Sequence, residues 1–179
     1  MSVLKKNIFL TGAPSSGKTT VIKKVMARLN LPANGFYTEE ERVGGKRVGF
    51  LMRTLEGRSG YLAHQDIRSD FQIRRYGVSI ENIETLAVPS IAPVAGNVII
   101  LDEIGRMECY SEAFKIAAIK ALDSSNIVIG TVTFGGDDFI AGIKNRQDLE
   151  LHEVTLDNRD SLPDIILGRI TDILRHHPA

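Results

Sequence analysis

Residues 12–20 read GAPSSGKTT, preceded by NIFLT at Asn7 to Thr11 and followed by VIKKVMARL at Val21 to Leu29. The first run is short, apolar at Ile8, Phe9 and Leu10 and bounded by a glycine, which predicts a buried strand. In the last, Val21, Ile22, Val25, Met26 and Leu29 recur at helical spacing, with Lys23, Lys24 and Arg28 outside them. Between strand and helix, Gly12, Gly17, Lys18 and Thr19 satisfy GxxxxGK[ST], a pattern that average residue usage would produce in roughly one chain of this length in a hundred or fewer. Glycines let consecutive backbone N–H groups turn inward and let an anion approach the chain closely. The helix starting near Lys18 adds its positive dipole end. The stretch therefore reads as a phosphate cradle made by Gly12, Ala13, Pro14, Ser15, Ser16, Gly17, Lys18, Thr19 and Thr20. Lys18 is placed at the β- and γ-phosphates, and the Thr19 hydroxyl as a Mg²⁺ ligand. The plain alternative is a glycine-rich turn carrying a solvated lysine.

A second stretch, VIILDEIGRME from Val98 to Glu108, runs a buried-type strand into two adjacent acids. Beside a phosphate cradle, an aspartate ending such a strand holds Mg²⁺, and Asp102 takes that role. Glu103 is then free to orient a water and accept its proton. A base for a substrate hydroxyl, an ion pair and a helix cap are the other readings of Glu103.

The order of elements sets the fold class. GFYTEEERVGGKRVGFLMRT holds two strand-like runs around Gly44-Gly45, a hairpin signal. LEGRSGYLAHQD reads as a polar, glycine-marked connection. Ser79 to Ala87 is helical in spacing, with Pro89 and Pro93 breaking or kinking it. Ser111 to Leu122 is an amphipathic helix with Ser111 as N-cap. Asn126 to Phe134 is a third buried strand and Leu149 to Thr155 a fourth. Leu162 to Leu174 closes the chain as a helix with Pro163 in its first turn. Buried strands alternating with helices mean α/β architecture with a largely parallel sheet between helices and an antiparallel edge hairpin. No repeat or linker divides residues 1–179, so one domain is expected.

Composition narrows the function. The 179 residues are 43% hydrophobic and 25% charged, with 22 basic against 22 acidic residues. That balance disfavours a nucleic-acid protein relying on a large basic face. Cys109 is the only cysteine, so no internal disulfide forms. No signal peptide or membrane span is apparent, and a cytoplasmic protein without a membrane partner is the expectation. His64 and His152 stand apart from other ligand types, which disfavours zinc.

With both motifs in place, the chain resembles the nucleoside-triphosphatase family that includes the cancer-related nucleoside-triphosphatase and its thermostable archaeal and bacterial relatives. The resemblance is carried by GFYTEE at Gly35, VGF at Val48, RYGV at Arg75, IENIETLAVP at Ile80, DEIGRME at Asp102 and VTLDNRDSLPDI at Val154. It implies a P-loop NTPase fold of RecA-like or kinase-like type. It also implies Mg²⁺-dependent hydrolysis of ATP, GTP, CTP and UTP to diphosphate and phosphate with broad base tolerance. A monomer is expected. Relatives often carry Gly-Val where this chain has Ser15-Ser16, and a proline where it has Phe134-Gly135-Gly136. Two other readings stand beside hydrolysis: a nucleotide or small-molecule kinase, and a nucleotide-dependent switch.

Smaller features complete the reading. Thr38 or Glu39 is placed near the γ-phosphate. Lys144 or Arg146 is a candidate cation closing over the transferring phosphate. Asn158 and Arg159 either contact the base or ribose, or Asn158 shapes a turn. Arg68, Arg74 and Arg75 with Tyr76 read as a charged face, and His176-His177 as a disordered end.

Overall fold

In the computed structural model, which describes residues 4–176, β1 (Asn7–Thr11) is buried along its whole length. Its alternating side chains set the layers. Ile8 and Leu10 pack with Val21, Ile22 and Val25 of α1 (Lys18–Arg28) and with Ile166, Ile170 and Ile173 of α6 (Leu162–His176). Phe9 points to the other face, toward Phe114 of α4 (Glu112–Asp123) and Ile140 and Ile143 of α5 (Asp138–Lys144). Two neighbouring strands split in the same way. In β7 (Val98–Ile104), Val98 and Ile100 join α1, whereas Ile99 and Leu101 face α4. In β8 (Val128–Val132), Ile129 joins α1, whereas Val128 and Val132 face α4. A sheet covered on both faces explains why these strands are continuous apolar runs.

Among the described residues the sheet has nine strands, in the order β5-β6-β4-β3-β2-β7-β8-β1-β9. The half formed by β2 (Ala33–Val43), β7, β8, β1 and β9 (Leu149–Glu153) is parallel, as the alternating pattern predicts. The hairpin of β2 and β3 (Lys46–Thr54) turns at Gly44-Gly45 as expected, but it does not lie at an edge. Three strands extend the sheet beyond it: β4 (Ser59–His64), β6 (Tyr76–Val78) and β5 (Gln72–Ile73), all antiparallel. The antiparallel part is therefore larger than the sequence suggests. Strand β4 hides in the stretch read as a polar connection.

Helical structure passes through Pro89 rather than stopping before it. The α-turns α2 (Ile80–Asn82) and α3 (Val88–Ser90) flank a π-turn, Ile83–Ala87. Such a widened turn already displaces the hydrogen-bond ladder where proline would interrupt it. Ser111 caps α4 as expected, accepting from the Phe114 N–H at 3.1 Å. His176 ends α6, with Nδ1 2.8 Å from the Asp172 carbonyl, so it is ordered; His177 lies outside the described residues. No helix among the described residues is long and apolar enough to cross a membrane.

Pairing of β2 with β7 fixes how the two halves meet, and Gly35 permits it. A Cβ there would lie 1.9 Å from the Ile100 carbonyl oxygen, and its φ of 127° is one that side chains rarely adopt. Gly35→Ala is expected to destabilise the protein by about 2 kcal/mol or more, read as a lower urea midpoint with an unchanged m-value.

Candidate active site

The carboxyl ends of the parallel strands point to one edge of the sheet, where ligands of open α/β sheets bind. The loop from Gly12 follows β1 there, and the acids end β7. Gly12 has φ 141°, and a Cβ on it would sit 2.7 Å from the Val154 carbonyl oxygen. Gly17, at φ 106°, begins α1 without a side-chain cap, and the first turn of that helix contains no acid. Its first backbone N–H groups are therefore left for an anion. Lys18 Nζ bridges the loop, donating to the carbonyls of Gly12 at 3.1 Å and Ala13 at 3.2 Å.

One contact joins loop and acids. Thr19 Oγ1 donates to Asp102 Oδ2 at 2.8 Å, and Thr131 Oγ1 of β8 donates to Asp102 Oδ1 at 2.6 Å. Asp102 is 1% exposed. Burial pushes its carboxyl above the usual range, against the pull of the Thr131 and Thr19 hydroxyls. Thr131 has no motif to announce it; only the strand order reveals its role.

The adjacent acids both reach the site because β7 bulges. Between the pairs Leu101–Gly130 and Ile104–Val132, β7 has two residues, Asp102 and Glu103, where β8 has one. Such an insertion re-aims side chains that would otherwise alternate across the sheet. Glu103 faces the cleft, and burial, then the Asp102 charge, pushes its carboxyl up to about 7 against Lys18 and Lys144. A third acid, Glu108, was given no role from sequence. It is 3% exposed, and burial, then Glu103, holds it well above the ordinary range. Gly105 makes room for the pair: a Cβ there would meet Glu108 Oε2 at 2.8 Å and Glu103 Oε1 at 3.0 Å.

The cleft occupies about 1090 Å³. Gly12, Pro14, Ser15, Gly17, Lys18, Thr19 and Thr20 line one end, together with Thr38 and Glu39. The Glu39 carboxylate is held by Lys23 and by Arg53 Nε at 2.6 Å, and these partners lower its pKa. Ala13 contributes its carbonyl to Lys18. Ser16 is buried, its hydroxyl without a partner among the described residues and close to Gly12. Asn158 lies outside the cleft and shapes a turn: Oδ1 accepts from the Thr155 N–H at 2.9 Å and Nδ2 donates to the Glu153 carbonyl at 2.8 Å. Arg159 lies against the loop, its Cδ 3.4 Å from where a Gly17 Cβ would be.

Of the two finger candidates, Arg146 is misplaced. It pairs with Asp148 and Asp123 at 2.8 and 2.7 Å, and Asp148 in turn accepts from Asn7, at the opposite end of β1 from the loop. Lys144 lies near the cleft, donating to the Phe134 carbonyl at 2.5 Å. Phe134 itself lines the cleft.

Thr19 and Asp102 offer one hydroxyl and one carboxylate. Among the described residues no group of three or more His, Cys, Asp or Glu forms a metal cage. A hard divalent cation held by few protein oxygens and by substrate phosphates fits this donor set. Glu108, by contrast, has no side-chain partner among the described residues, and keeping its proton in the fold is a stability cost that grows as pH rises above the ordinary glutamate range. Glu108→Gln should therefore raise the urea midpoint above wild type at pH 8, with a smaller gap at pH 5.

Comparison with known proteins finds relatives over nearly the whole chain. A model of the family described as NTPase matches residues 7–167. The nucleoside-triphosphatase THEP1 of Thermotoga sp. strain RQ2 is 43% identical over 163 residues, covering 90% of this chain and 93% of the relative. The crystal structure of THEP1 from the hyperthermophile Aquifex aeolicus superposes with a TM-score of 0.83 at 33% identity, over 90% of this chain and 97% of that one. The solution structure of a human cancer-related nucleoside triphosphatase gives 0.76 at 33% identity, over 93% and 97%. With the family model matching residues 7–167 and a relative 43% identical over 90% of the chain, the chain belongs to the NTPase family.

Proposed function

We propose that the protein hydrolyses nucleoside 5′-triphosphates to diphosphate and phosphate, with Mg²⁺ as its metal and broad tolerance of the base. The observation that carries this reading is the Thr19–Asp102 contact at 2.8 Å, which brings the phosphate loop and the acidic strand end to one place. The loop N–H groups and Lys18 bind the triphosphate tail and offset its charge. Thr19 and Asp102 would hold the cation. When bound, Mg²⁺ neutralises charge on the β- and γ-phosphate oxygens.

Glu103 orients a water in line with the γ-phosphorus and takes its proton as the new P–O bond forms. The bond from the γ-phosphorus to the bridging oxygen breaks, and its electron pair leaves with the diphosphate. A carboxyl held near 7 by its surroundings suits a base working at neutral pH. Broad base tolerance is supported by the cleft's lining at the loop end, where the loop, Thr38 and the charged Lys18, Lys23 and Glu39 address a triphosphate tail rather than one particular base.

Hydrolysis is favoured over a switch because the water-orienting acid belongs to the same chain as the cradle. Glu103→Gln should lower turnover about 10²-fold or more while leaving nucleotide affinity within about threefold, since the lost group acts in the transition state. Lys18→Ala should weaken both. Phosphate release from ATP, GTP, CTP and UTP, with and without Mg²⁺, tests the reading. Release from all four only with the metal supports it, and metal-independent release or none at all contradicts it.

A further inference from the structure

The cleft runs past the site just described. Beyond Glu103 it continues over the antiparallel strands, where Phe50, Leu62 and Ile73 form an apolar floor and Arg74 and Arg106 stand at the rim. The arginines come from segments that the fold holds together. Arg74 lies in the turn between β5 and β6, and Arg106 in the turn after β7. The Phe71 ring lies 5.1 Å from that of Tyr110, and the Tyr110 hydroxyl donates to the Gln72 carbonyl at 3.2 Å. The hairpin that carries Arg74 is thus fastened to the segment that follows Arg106.

Two of the three arginines at this end are unpaired among the described residues, although Glu40, Glu103 and Glu108 line the same cleft. Arg47, also in the lobe, is spent on Glu40 at 2.7 Å and on the Tyr76 hydroxyl at 3.3 Å. Arg74 and Arg106 make no side-chain hydrogen bond or ion pair among the described residues. Arg74 also holds φ at 55°, a region that non-glycine residues seldom occupy and that recurs at ligand sites. The buried Glu108 carboxyl lines the same lobe without a side-chain partner. Concave, apolar-floored pockets with a few convergent polar groups are ligand sites. Two unspent guanidiniums suit a phosphate, which arginine binds through paired N–H donors.

We propose that this lobe is a second ligand site, which takes a phosphorylated small molecule with an apolar or ring-shaped body while a nucleoside triphosphate occupies the loop. The phosphate pairs with Arg74 and Arg106, the body lies on Phe50, Leu62 and Ile73, and Glu108 accepts or donates a hydrogen bond at its polar edge. The inference rests on the loop reading above only for the identity of the first occupant.

Nucleoside monophosphates (AMP, GMP, CMP and UMP) serve as probes, titrated calorimetrically into protein saturated with Mg²⁺ and the β,γ-imido analogue of ATP. At least one should bind the loaded protein at one per chain. The double variant Arg74→Ala/Arg106→Ala should weaken it about tenfold or more, the loss of charge-assisted hydrogen bonds. The same variant should keep the wild-type melting temperature and an analogue affinity within about threefold. Absence of binding by all four, displacement of the analogue by the monophosphate, or equal affinity in variant and wild type would overturn the proposal. If the analogue itself does not bind, the loop reading fails. The second site is then judged on unloaded protein, where arginine-dependent monophosphate binding upholds it and arginine-independent binding ends it.

Discussion

The hydrogen bond from the Thr19 hydroxyl to the Asp102 carboxylate is the constraint on which the rest of this structure depends. It joins the first turn of α1 to the end of β7, two elements 83 residues apart in sequence. Everything beneath it positions those two atoms. Alternation along β1, β7 and β8 sends one set of side chains under α1 and the other under α4, which fixes the height of the helix over the sheet. Pairing of β2 with β7 through Gly35 then sets the antiparallel strands beside the same edge. The bond is short and buried on the acid's side, and the Thr131 hydroxyl holds the other carboxylate oxygen.

That arrangement is costly to the fold. Three carboxyls, Asp102, Glu103 and Glu108, gather in surroundings that disfavour their charged forms. Stability alone would place apolar residues there. Local rules broken at a site and compensated by the scaffold are what functional constellations look like. The compensation is visible: two hydroxyls on Asp102, Lys18 and Lys144 near Glu103, and a glycine at 105 that leaves room for two carboxyls. Two deeply covered, apolar-packed faces supply the stability on which such a site draws.

Much of this was legible in the sequence, because the relevant signals are local. A strand, a glycine-bounded loop and a helix follow one another within 22 residues, and helical spacing in α1, α4 and α6 needs no tertiary information. The acids after Leu101 were legible only as a pair; that both reach the site depends on a bulge, which pairing with β8 creates. Strand β4 was hidden because SGYLAH carries glycine and exposed polar positions, and β5 and β6 are too short for periodicity to register. Thr131 acts through long-range proximity and carries no local mark, and Glu108, though close to Glu103 in sequence, is singled out only by its burial. Arg146 shows the opposite failure. It follows the β8 loop in sequence, but α5 carries the chain back along the sheet and leaves it beside Asp148 and Asp123, at the opposite end of β1 from the loop at Gly12.

The central claim of the proposed function is spatial: it requires a metal-bound triphosphate tail to lie between Lys18 and the Asp102–Glu103 pair. A crystal structure of the protein with Mg²⁺ and the β,γ-imido analogue of ATP tests it most directly. The account predicts the β- and γ-phosphates within hydrogen-bond reach of the loop N–H groups and Lys18 Nζ, the cation beside Thr19 and Asp102, and the Glu103 carboxylate facing the γ-phosphorus with a water between them. A tail bound elsewhere, or a Glu103 carboxylate turned away from it, would contradict the account.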